Sequence, residues 1–200
     1  MTRLILIRHG ETDWNVENRR QGRNDRPLNA RGATQARLVT DHVKAAFDIK
    51  KLWSSPLQRC ASTAALLGTP VSTSDLLVEI DYGDWEGMLE SEIDVRYPNR
   101  YENGMVSIDP PGGEKRSNLP VRGRQFIEES RIADEQGDVV IVGHGSAMAG
   151  LLVALLDLPD HAMHNFLIDN CSVSTVQMEN GINRLTTLNH TGHLATVSGA

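Results

Sequence analysis

Cysteine is nearly absent from this chain: Cys60 and Cys171 are the only two in 200 residues. Two thiols make no disulfide framework, so a reducing cytoplasm is the expected setting. Long apolar runs are also missing. The longest strongly apolar stretch, Ala147 to Leu156, is too short to cross a bilayer. Met1-Thr2-Arg3 with four apolar residues behind it is too short for a secretory leader. There is no excess of positive charge. Lys and Arg number 20 against 26 Asp and Glu, a net charge of −6, which speaks against a nucleic-acid binder but leaves room for a local basic site. Internal repeats and Walker-type or Rossmann glycine patterns do not occur. What remains is an ordinary globular composition, 40% hydrophobic and 23% charged, long enough to bury a sizeable core. A single domain over 1–200 is expected, with a loop-rich insertion around 81–118.

Apolar periodicity then places the elements. Leu4 to Ile7 form a continuous apolar run, as a strand buried on both faces requires. A polar loop rich in arginine and asparagine follows. Ala33, Ala36, Val39, Val43 and Ala46 keep a helical stripe between Ala30 and Phe47. Lys51 to Ser54 is a short strand. Ser55-Pro56 reads as N-cap and first helical position of a helix to about Leu67. A short extended segment is expected within Thr69–Val78, a short helix near Glu90–Tyr97 and a longer helix over Leu119–Glu135. Asp138–Val142 is a second buried strand, and Ser146–Leu156 an apolar helix behind it. Val173–Met178 and Ile182–Leu188 read as a hairpin about Glu179-Asn180-Gly181. The small, polar tail after Asn189 is expected to be loose. Alternating strands and helices with an antiparallel end predict an α/β sandwich.

Two histidines carry the chemistry. Arg8-His9-Gly10 and Gly143-His144-Gly145 each follow a buried strand directly. Ligands of open α/β sheets sit outside the carboxyl ends of the strands, so neighbouring strands would aim both imidazoles into one pocket. Arg59 lies in the first turns of the helix after the Lys51–Ser54 strand, an end suited to an anion. Arg8, Arg59 and the two histidines are thus candidates to converge on one phosphate-sized group.

The same residues carry a resemblance. Leu6-Ile7-Arg8-His9-Gly10-Glu11-Thr12-Asp13-Trp14-Asn15 is similar, nearly letter for letter, to the N-terminal signature of the histidine phosphatase superfamily, the phosphoglycerate mutase-like fold. Gln21-Gly22, Asp25, Pro27-Leu28 and Arg31-Gly32 continue it. Ser54-Ser55-Pro56-Leu57-Gln58-Arg59, then Leu77 to Gly87, Pro111-Gly112-Gly113-Glu114 and Gly143-His144-Gly145 complete the pattern, in order, between residues 4 and about 156. The resemblance implies a three-layer α/β/α sandwich on a mixed, mostly parallel six-stranded sheet. It implies His9 as the nucleophile, Arg8, Arg59 and His144 as ligands of the phosphoryl oxygens, and Glu79 as the general acid. Asn15 and the Gln21-Gly22 backbone would close over the phosphate, with Gly145 beside it.

This chemistry is sensible on its own terms. Phosphoryl transfer needs positioning and charge stabilisation, which two guanidiniums and a protonated imidazole would supply without metal or cofactor. The histidine nucleophile must be neutral to attack, and an alkoxide leaving group needs a proton that a carboxyl group can give. Three departures from the mutases favour a phosphatase: only 65 positions separate Glu79 from His144, Ile80 stands where the mutases place an arginine, and Ser146 where they place asparagine. The substrate would be a small phosphorylated metabolite. A cofactor-dependent phosphoglycerate mutase is the alternative within the family, and a non-catalytic phosphate binder the alternative outside it. Among Arg19, Arg20, Arg23 and Arg26, Arg23 is the candidate to meet a second acidic group on the substrate, with Lys115 as helper. Trp14, Trp53 and Trp85 read as packing or pocket walls, and Cys60 as a buried small residue. His42, His161, His164, His190 and His193 have no assigned role, and no metal site is expected.

Overall fold

Leu4, Ile5, Leu6 and Ile7 are all buried, and the pleat sends them alternately to two different cores. The computed structural model describes residues 1–102 and 105–197. In chain order its elements are β1 (Thr2–Arg8), α1 (Asp13–Val16), α2 (Ala30–Ala46), β2 (Ile49–Ser54), α3 (Gln58–Ala65), β3 (Val71–Thr73), α4 (Glu90–Arg96), β4 (Tyr101–Glu102), β5 (Met105–Val106), α5 (Asn118–Ser130), β6 (Gly137–Gly143), α6 (Gly145–Leu155), β7 (Val173–Glu179) and β8 (Ile182–His190). Six strands form one sheet in the order β3-β2-β6-β1-β7-β8. β1, β2, β3 and β6 run parallel; β7 is antiparallel to both of its neighbours. This is the mixed, mostly parallel sheet that the family resemblance implies.

The sheet has a core on each face. Ile5, Ile7, Val140 and Val142 meet Ala36, Val39 and Val43 of α2 and Cys60 and Ala64 of α3. Leu4, Leu6, Val139 and Ile141 meet Phe126 of α5 and Met148, Leu151, Leu152 and Leu155 of α6. A three-layer sandwich results. The 81–118 region is less loop-like than its composition suggests. It carries α4 and packs Ile80, Tyr82, Trp85 and Ile93 onto Ala149 and Val153 of α6. The β7–β8 turn is as expected, with positive φ at Asn180 (53°) and Gly181 (75°), the backbone that a two-residue hairpin loop of type I′ demands.

Three local expectations need correction. The helix predicted from Ser55-Pro56 begins later, at Gln58, with Leu57 in the cap position and no capping side chain. Asp25 Oδ1 accepts the Gln58 N–H at 2.7 Å instead. α5 ends at Ser130 and not near Glu135, because Arg131 adopts the left-handed conformation (φ 54°) before a 3₁₀ turn over Ile132–Asp134. The tail is not loose up to residue 197: β8 runs to His190, a 3₁₀ turn spans Gly192–Leu194, and Leu194 is buried in the α2–α3 core with Val197 packed against it. Among the described residues no helix is long and apolar enough to cross a membrane.

Candidate active site

The parallel pairing of β1 with β6 sets Arg8 opposite Gly143, so His9 and His144 leave the sheet side by side. The His9 N–H donates to the Gly143 carbonyl at 3.0 Å. The two rings stand edge to face with centroids 5.2 Å apart. Both are buried, at 3% and 0% exposure. His9 Nδ1 donates to the Gly10 carbonyl at 2.7 Å, which fixes the proton on that nitrogen and leaves the Nε2 lone pair for the cleft. Burial, and the guanidiniums of Arg59 and Arg8, hold the His9 pKa well below the usual imidazole value. The ring is therefore neutral at physiological pH, as a nucleophile must be.

His144 occupies the N-cap position of α6. Arg59 Nε donates to its Nδ1 at 3.1 Å, so the proton sits on Nε2, which donates to Ser55 Oγ at 2.8 Å. Burial and then Arg59 push its pKa well down. The protonated imidazole expected from the sequence is not what this geometry holds: beside two guanidiniums, His144 is a neutral donor. Ser55, taken for a helix cap in the sequence, orients this ring.

Arg59, 1% exposed, ties the nucleophile end of the sheet to the 20–24 loop. Its NH2 donates to the Gly22 carbonyl at 2.7 Å and its NH1 to the Asn24 carbonyl at 2.9 Å. The network orients the Gln21 amide so that its nitrogen donates to Thr12 Oγ1 and its oxygen accepts from Arg59. Gly22 has φ +55°, a backbone that favours glycine, and a Cβ there would displace the Glu86 carboxylate, 2.0 Å away. Arg8 NH1 donates to the Ile168 carbonyl at 2.7 Å, while Arg8 Nε is buried with no partner. Asn15 Oδ1 accepts the Thr12 N–H at 3.1 Å, closing the first turn of α1. Asn170 Nδ2 donates to the His9 carbonyl at 3.0 Å and to Asn15 Oδ1 at 3.3 Å.

Glu79 reaches the head of α6, which Gly145 opens. Its Oε1 accepts the N–H groups of Ile80 at 2.9 Å and Ala147 at 3.0 Å, and its Oε2 that of Ser146 at 3.2 Å. Three backbone N–H groups thus fix the Glu79 carboxyl group at the start of α6.

Arg8, His9, Asn15, Gln21, Gly22, Arg59, Glu79 and Gly145 all line one cleft of about 520 Å³. His144 lies directly beneath, behind Ser55 and Arg59. Arg23 is not brought to the cleft. Its guanidinium turns outward to Glu114 (3.4 Å) and Asp81 (3.9 Å), and Lys115 is exposed and away from the lining. Beyond Arg8 and Arg59, the far wall carries Arg19, Arg20 and Arg116. Arg20 stacks on Tyr82, 5.0 Å from its centroid, and donates to its hydroxyl at 3.1 Å. Arg116 has Nε and NH2 buried with no partner. In all, five arginines face two carboxylates, Glu79 and Glu90, around this cleft, in a chain whose net charge is −6. The field focused there favours an anion.

Comparison with known proteins agrees with this geometry. The model of the histidine phosphatase superfamily (branch 1) matches residues 4–191. Phosphoserine phosphatase 1 of Hydrogenobacter thermophilus is 34% identical over 97% of this chain and 95% of its own. The structure is similar to that of a phosphoserine phosphatase variant from Entamoeba histolytica in complex with phosphoserine. That likeness has a TM-score of 0.84 and 31% identity, covering 97% of this chain and all of that one. A mycobacterial glucosyl-3-phosphoglycerate phosphatase complexed with VO3 matches with a TM-score of 0.86 and 30% identity over 94% of this chain and 99% of its own. The chain belongs to the histidine phosphatase superfamily.

Proposed function

We propose that the protein hydrolyses the phosphomonoester of a small metabolite through a phosphohistidine on His9. The observation that carries this reading is the His9 ring: neutral, its Nδ1 proton spent on Gly10, its other nitrogen open to a cleft lined with arginines. In the first step Nε2 attacks phosphorus and the bond to the ester oxygen breaks. Glu79 gives its proton to the departing alkoxide. In the second step Glu79, now ionised, takes a proton from water, the hydroxide attacks phosphorus, and the P–N bond breaks to return a neutral imidazole and inorganic phosphate. Arg8 and Arg59 stabilise the equatorial oxygens of both transition states, and His144, beneath the cleft, holds Arg59 in position. Arg8 Nε, without a protein partner, is ready for this task. Asn15 and the Gln21-Gly22 turn close the phosphoryl site.

Charge on the far wall narrows the substrate class. Arg116, with two buried and unpartnered N–H groups, suits a second anionic group such as a carboxylate, a role the sequence assigned to Arg23. The named relatives act on phosphoserine or carry a phosphoglycerate moiety in their names, which supports an acidic phosphorylated metabolite here. The test is a panel comprising p-nitrophenyl phosphate, O-phosphoserine and 3-phosphoglycerate, assayed with chelator present. Release of inorganic phosphate from all three, undiminished by EDTA, is expected. Conversion of 3-phosphoglycerate to its isomer with no phosphate released would make the chain a mutase. Binding without turnover would make it a phosphate binder.

A further inference from the structure

Three histidines with no assigned role meet outside the cleft. His42 lies on α2, His190 ends β8, and His193 sits in the 3₁₀ turn that follows. Their candidate ligand nitrogens all lie within 4.8 Å of one another, the one such group of three among the described residues. His42 stacks on His193 with centroids 4.9 Å apart and planes 11° from parallel, and His190 lies 5.5 Å from His42 and 5.8 Å from His193.

His193 shows what the group is built for. Its Nε2 donates to the Cys171 carbonyl at 2.9 Å. That bond leaves Nδ1 as a bare lone pair, and Nδ1 is buried with no hydrogen-bond partner. Packing alone does not explain a buried, unsatisfied acceptor, because native structures pair such atoms. An imidazole that donates one nitrogen to a backbone carbonyl and offers the other is instead the usual second-sphere arrangement of a metal ligand. We infer that His42, His190 and His193 form a binding site for a divalent transition-metal ion.

The donor set selects the ion. Three imidazoles with neither thiolate nor carboxylate suit Zn²⁺, Cu²⁺ or Ni²⁺ and not Mg²⁺ or Ca²⁺. Tetrahedral Zn–N bonds of about 2.0–2.1 Å set ligand nitrogens roughly 3.3 Å apart, so the trio closes by side-chain rotation, for which exposed His190 is free. Water takes the fourth position. None of the three lines the catalytic cleft. The ion ties α2 to the end of β8 and to the turn that seats Leu194 in the core, and its effect falls on stability.

The test uses the full chain, freed of metal by chelator and titrated with Zn²⁺ by calorimetry. One equivalent should bind with a dissociation constant in the micromolar range or below. At a hundredfold excess over that constant, the melting temperature should rise by roughly 5–10 °C. His42→Ala and His190→Ala, checked for native circular dichroism, should each weaken binding at least about tenfold and abolish the melting shift. No saturable binding by the wild type overturns the site. Equal affinity and stoichiometry in both variants also overturns it, by placing the ion elsewhere, for example at His9 and His144.

Discussion

The catalytic-end histidine pair and the surface trio are made of the same side chain in opposite company. His9 and His144 are buried and share their space with Arg8 and Arg59, so each is held neutral by burial and by nearby positive charge. His42, His190 and His193 are partly exposed, and among themselves they meet only other imidazoles. Guanidiniums beside the pair leave no room for a cation and attract an anion. Nothing cationic sits within the trio, and its inward lone pair attracts a cation. Residue identity is thus a poor guide to the chemistry of a histidine cluster; the neighbours decide the sign of the ligand.

The contrast breaks most visibly at His9. If the pair carries the chemistry, His9→Ala lowers kcat/KM for p-nitrophenyl phosphate by on the order of 10⁴-fold or more, whereas His42→Ala leaves it unchanged; steady-state assays of both variants decide. A smaller effect is expected at Glu79. Glu79→Gln should slow an alkyl phosphate by about 10²- to 10⁴-fold and p-nitrophenyl phosphate much less, since p-nitrophenolate leaves without a proton. Equal losses would remove Glu79 from the proton-donor role.

Next comes the far wall. A charge-assisted contact is worth about 1.5–3 kcal/mol, so Arg116→Ala should cost a substrate with a second anion about 10- to 150-fold in kcat/KM and spare p-nitrophenyl phosphate. Arg23→Ala, whose guanidinium faces Asp81 and Glu114, should spare both. The reverse ranking would return selectivity to the 20–24 loop.

The smallest effect concerns pH. The folded-state pKa values of His9 and His144 lie below the ordinary 6.5, so below pH 6.5 the unfolded chain binds more protons than the folded one. Stability therefore falls as pH drops from 6.5 toward those depressed values, by up to about 1.4 kcal/mol per pH unit for each ring. Urea unfolding at pH 6.5 and 5.5 should show this slope, and His144→Asn should flatten it by one ring's share. An unchanged slope would mean that His144 titrates alike in both states.

What was legible in the sequence follows the same division. The pair could be found because each histidine directly follows an apolar run and is flanked by glycine, a local signal; Arg59 was marked by its place in the first turns of the helix after the Lys51–Ser54 strand, and Glu79 and the Gln21-Gly22 turn came with the family resemblance. Individual strands and helices were legible from periodicity, while the six-stranded sheet with helices on both faces came from the family resemblance. Arg23 faces Asp81 and Glu114, partners far away in sequence that no local signal marks. Arg116 gave no signal, since its distinction is a pair of buried N–H groups without partners. Ser55 carried a helix-cap signal but serves His144. The trio comes from positions 42, 190 and 193, brought together only by tertiary packing. The tail hid its anchor because a lone Leu194 among small and polar residues has no periodicity.

One hydrogen bond described above fixes a point of stereochemistry. With the Nδ1 proton of His9 committed to the Gly10 carbonyl at 2.7 Å, only the distal nitrogen can bond phosphorus. On the proposed mechanism the phosphoenzyme would be a single regioisomer, the τ-phosphohistidine. The bond that would select the isomer also holds the His9 ring against flipping.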